Sequence, residues 1–111
     1  MSSVIHSKLA DLGAELGAID GAVVLHYWHP RQQAPYILWQ EASAETFKSD
    51  NKSSEIKWVG VVDFYTQTEF DETLDSIIGA LDSVGATWKI SSVDFEDDTK
   101  LIHFIVNWEL M

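Results

Sequence analysis

The run Glu55 to Thr66 leaves this chain the fewest choices. Side chains alternate across a strand, so Ile56, Trp58, Val62 and Phe64 point one way while Val59, Val61 and Tyr65 point the other. A strand with apolar residues on both faces calls for cover on both. The flanking sequence supplies two amphipathic helices, and a sheet needs more than that to hide a second face.

The first helix is read from Ile5, Leu9, Leu12, Leu16 and Ile19, which share one face and are followed by the turn pair Asp20-Gly21. Ala22 to His29 reads as a strand stopped by Pro30, and Tyr36 to Glu41 as a second strand. Ala42 to Ser54 is rich in Ser, Lys, Asp and Asn around one large apolar residue, Phe47, and is expected to be a mobile loop. After the Glu55–Thr66 strand, Thr68 with Asp71 three residues on suggests a cap for a second helix. Its buried face would be Phe70, Leu74, Ile77, Leu81 and Val84, closed by Gly85. Trp88 to Phe95 and Leu101 to Leu110 then form a hairpin across Glu96-Asp97-Asp98-Thr99.

The expected fold is therefore α+β: a mixed, mainly antiparallel sheet of about five strands, two helices on one face, in the order α-β-β-β-α-β-β, as a single domain over residues 1–111. If successive elements reverse direction, the helices run parallel and the third and fourth strands are parallel across the second helix. Ala10, Gly13, Ala14 and Gly17, then Ser76, Gly79, Ala80 and Ser83, would let the two helices approach closely; the competing use is a subunit interface. Five tryptophans, at 28, 39, 58, 88 and 108, are expected one to a strand, with Trp58 and Trp108 in the core.

At 111 residues and 46% hydrophobic, the chain can build a core without staples, and it has no cysteine for disulfides or thiolate metal sites. No run is long enough to span a bilayer and no secretion signal is visible, which points to the cytoplasm. The formal net charge is −11, with 18 acidic against 7 basic residues. Such a surface keeps the tryptophans soluble and repels phosphate backbones, so no duplex DNA binding is expected. The same acidity would also suit a standalone binding module, an inhibitor or a DNA mimic.

Catalytic chemistry finds little purchase. His26 and His29 are three apart on a strand and face opposite ways; His103 faces away from the row Ile102, Phe104, Val106, Trp108. The acidic turn at 96–98 lacks calcium-loop spacing, and Asp71, Asp75 and Asp82 with Glu72 form a wet helix face. Asp63 stands out among apolar neighbours, where a charge must be paired or exposed, and a structural or interface hydrogen bond is the expected use. There is no nucleophile elbow, phosphate loop or zinc motif, so no catalytic residue, cofactor or metal is assigned.

Trp58-Val59-Gly60-Val61-Val62-Asp63-Phe64-Tyr65-Thr66-Gln67-Thr68-Glu69-Phe70-Asp71, with Tyr36-Ile37-Leu38-Trp39 and Asp94 through His103, resembles small proteins of the tail-gene clusters of long-tailed phages and prophages. They are similar to tail-completion or tail-terminator proteins of the lambda-like type. The resemblance implies an α/β fold, a non-enzymatic ring of about six subunits, tail-tube and head-connector proteins as partners, and a place in the host cytoplasm and then in the virion tail or neck. It implies neither sequence-specific nucleic acid binding nor a membrane. Phe47, Lys48, Asp63 and Trp39 are the residues nominated for its interfaces.

Overall fold

In the computed structural model, residues 5–28, 33–49 and 53–111 are described, the side chains at 48, 49, 53 and 54 excepted. Helix α1 (Ser7–Gly17) buries Leu9, Leu12 and Leu16. Strands β1 (Val23–His26), β2 (Tyr36–Ser49) and β3 (Ser53–Thr66) follow, then helix α2 (Thr73–Ser83), β4 (Thr87–Glu96) and β5 (Leu101–Leu110). The five strands form one sheet in the order β1-β2-β3-β5-β4. The helices touch each other and lie on one face, where their leucines and isoleucines meet Ile37, Trp39, Val62, Phe64, Val106 and Trp108. This is the expected α+β architecture.

Trp108 is 1% exposed and fits because position 60 is glycine. A Cβ there would stand 2.2 Å from the indole Cζ2 and 2.3 Å from the Gln40 carbonyl oxygen. Trp58 is half-buried against the same core. Helix α2 ends as its sequence suggests: Gly85 takes φ +78, its amide donates to the Asp82 carbonyl, and the Ala86 amide donates to Leu81. That pair of bonds satisfies carbonyls the helix leaves open.

Several expectations are corrected. Residues 42–49 and 53–54 are strand, not loop: β2 and β3 pair from Tyr36↔Tyr65 out to Ser49↔Ser53, with a bulge between Glu41 and Ser43. The polar composition misleads because a two-stranded ribbon facing water has no core to fill. Strand β1 ends at His26, so Trp28 lies beyond it and is 75% exposed; His29 and Pro30 fall outside the described residues. Strands β1 and β2 pair in parallel, which breaks the assumed alternation, although β3 and β4 do run parallel, on either side of β5.

Thr68 is not the cap of α2. Thr66 and Asp71 tie its start instead: the Thr66 hydroxyl donates to Asp71 Oδ2 (2.6 Å) and the Thr73 amide donates to Oδ1 (2.9 Å). Burial pushes the Asp71 carboxyl up, but these hydrogen bonds outweigh it and hold it below its usual range. Phe70, expected on the buried face, precedes the helix with φ +55 and is 92% exposed. Of the small residues, Ala80 is buried and Gly13 makes room for Trp39, whereas a Cβ at Gly17 or Gly79 would meet nothing within 4 Å. Those two glycines do not serve close helix contact.

Candidate interaction surfaces

The sheet face opposite the helices carries a row of rings. Cross-strand register sets Tyr36 beside Tyr65 and Tyr65 beside His103. Their rings stack, with centroids 4.6 Å apart in the first pair and 4.0 Å in the second. His103 Nε2 donates to Asp63 Oδ1 at 2.7 Å, and both side chains are mostly covered. Asp63 thus has the partner its apolar setting demanded. Sequence reading missed His103 because β3 and β5 are neighbours only in the folded sheet. The usable signal was parity: Asp63 and His103 each alternate with a core row, so both belong to the other face. Burial, with Asp63 and other acids nearby, raises the Tyr65 hydroxyl to about 12.

The second surface is the end of the β2–β3 hairpin. Strand β5 supports β3 only as far as Trp58↔Leu110. Five further pairs, Glu45↔Lys57 to Ser49↔Ser53, have no third strand beside them among the described residues. At the usual rise per residue they project about 17 Å. Lys57 braces the base, its Nζ 3.0 Å from Glu109 and 3.4 Å from Glu45. Phe47 sits farther out and is 44% exposed. The side chain of Lys48 lies outside the described residues. Between the arm and the start of α1 lies an open cleft of about 830 Å³ lined by Ile5, Lys8, Thr46, Ile56, Trp58 and Met111.

Positions 44–58 contain Glu45, Asp50 and Glu55 against Lys48, Lys52 and Lys57, so the arm is balanced and the net −11 belongs to the rest of the chain.

A third cluster sits at the end of β1 on the helix side. His26 stacks on Trp39 with centroids 3.8 Å apart, and its Nε2 bonds Glu41 Oε1 at 2.8 Å. Tyr27, at φ +68, donates its hydroxyl to the other Glu41 oxygen. Burial pushes the Glu41 carboxyl up, and the bonds from Tyr27 and His26 more than reverse it. Trp39, nominated for an interface, is 5% exposed, so the fold of the single chain already covers it.

The acids of the 96–98 turn are exposed. Among the described residues no three His, Asp or Glu side chains group as metal ligands, and no helix is long and apolar enough to cross a membrane.

The fold has a solved counterpart. It is similar to a chain in the structure of the virion of a native gene transfer agent (GTA) particle, with TM-score 0.54 and 12% identity over 96% of this chain and 92% of that one. At that identity the likeness is one of fold. No family model and no curated protein matches the sequence.

Proposed function

We propose that this chain is a non-enzymatic structural subunit of a phage or prophage tail, a tail-completion protein acting as tail terminator or head-tail joining piece. In this reading it assembles into a ring of about six subunits and binds tail-tube and connector proteins, first in the host cytoplasm and then in the virion neck. The observation that carries the reading is the projecting β2–β3 arm. A two-stranded ribbon is marginal by itself in water, and an arm that leaves its own sheet is well placed to order against a neighbour. The fold likeness to a chain of a GTA virion and the sequence resemblance to tail-cluster proteins support it. Phe47 and Lys48 on the arm are the proposed contacts, with Asp63 on the open sheet face.

Shortening the arm tests this. Replacing residues 47–55 by Asn-Gly leaves Thr46↔Ile56 as the closing pair and offers a two-residue hairpin turn. The expected result is an almost unchanged thermal midpoint with loss of ring formation and of tail completion in a complementation assay. A shortened chain that still completes tails would overturn the role given to the arm.

A further inference from the structure

Strand β4 is an edge of the sheet, with no strand among the described residues on its outer side. Its register sets Trp88, Ile90, Val93 and Phe95 opposite Trp108, Val106, Phe104 and Ile102, on the helix-bearing face. These four are exposed, at 40%, 39%, 57% and 59%. An apolar row along an open edge is a template for another strand. Edge strands are commonly blunted by charge and by bulges, and β4 has both: Lys89, Asp94 and Glu96, and a bulge between Ile90 and Ser92. Their placement also fits a specific occupant.

We infer that β4 pairs with β4 of a second copy, antiparallel about a two-fold axis between Ser91 and Ser92. That axis sets Ile90 against the second copy's Val93, Trp88 against its Phe95, and Lys89 against its Asp94, each twice by symmetry. In a regular strand such an axis would oppose side chains from different faces, because neighbours alternate. The bulge at Ser91 removes the conflict: the helix-side row runs 88, 90 before it and 93, 95 after it. Apolar residues then meet apolar residues on the helix side. Lysine meets aspartate on the other. The product is a closed dimer with one ten-stranded sheet, and both copies present their helices on the same side. A two-fold pair closes on itself, so this inference is independent of the ring and tail reading, whose test uses the arm.

The test is sedimentation velocity on the free chain at 0.15 M salt, where the Debye length of about 8 Å limits repulsion between two acidic molecules. The expected result is a dimer at tens of micromolar protein. Lys89→Asp and Asp94→Lys, both at exposed sites, should each weaken the dimer about tenfold, since each turns two attractions into two repulsions. The double variant should restore it, and Phe47→Ser should leave it unchanged. Circular dichroism would confirm that each variant folds. A folded wild-type chain that stays monomeric at about 100 μM would overturn the inference. So would a dimer indifferent to the single reversals, or one that the double reversal does not rescue.

Discussion

The two faces of the central strands hold themselves together by different physics. On the helix side, Ile37, Val62, Phe64 and Val106 are fully buried, and the cohesion comes from removing apolar surface from water. One residue away along the same strands, Tyr36, Tyr65, His103 and Asp63 stack and hydrogen-bond across a face that neither helix covers. A sheet with helices on one face need not leave the other apolar: here it is closed laterally, by rings lying against rings. On the first face changes of volume should be costly; the second should tolerate changes that keep its partners.

The largest effect should come from the first face. Trp108→Ala should cost about 3–5 kcal/mol, the usual range for emptying a buried aromatic site. Gly60→Ala should destabilise through the same contact by about 2–3 kcal/mol or more, because the indole and a backbone oxygen both stand inside the new methyl's reach. Denaturant unfolding reads both. If Gly60→Ala is neutral, the seat of Trp108 is not where we place it.

A smaller loss is expected when the second face loses a partner. His103→Ala should cost about 1–2 kcal/mol, the range for leaving a half-buried polar group unpaired, and His103→Ala with Asp63→Ala should cost less than the two single changes combined. Additive losses in that double-mutant cycle would mean that the 2.7 Å contact contributes nothing.

The smallest effect is a matter of pH. All three tyrosines are held above the usual value of 10.0: Tyr27 by its bond to Glu41, Tyr36 and Tyr65 first by burial, and Tyr65 reaches about 12. A folded-state value raised above the unfolded one stabilises fully below pH 10 and is lost as pH rises towards 12. An ultraviolet titration of the native protein should therefore show every phenol ionising later than in the denatured chain, with a falling thermal midpoint over that window. Tyr36 or Tyr65 titrating normally would break the ring row as described.

The sequence made the helix-side face readable because alternation and helical spacing are local signals. Ile56, Trp58, Val62 and Phe64 declared one row, and Leu9, Leu12 and Leu16 declared the stripe that covers it. Gly85 declared the end of α2 by its left-handed backbone. What stayed hidden depends on which strands become neighbours. Asp63 could be seen to need a partner, but His103 reaches it only because β5 inserts between β3 and β4. The outer arm was hidden for another reason: Ser, Lys and Glu along Ala44–Ser49 show no apolar alternation, since the ribbon there has water around it. Phe70 was misassigned because its spacing suits a helix that starts only three residues later.

The reach of the arm bears on how two such molecules meet. Ions in physiological solution screen a charge over about 8 Å, and the pairing of β2 with β3 runs on to Ser49 and Ser53, about 17 Å past its last supporting strand, roughly two screening lengths. The outer end of the paired arm, which belongs to a stretch (positions 44–58) of three acids and three lysines, therefore lies largely beyond the field of the acidic body that bears it. Another acidic molecule approaching body-first meets a repulsion that salt confines to about 8 Å of the surface. One approaching the outer arm feels almost none of it.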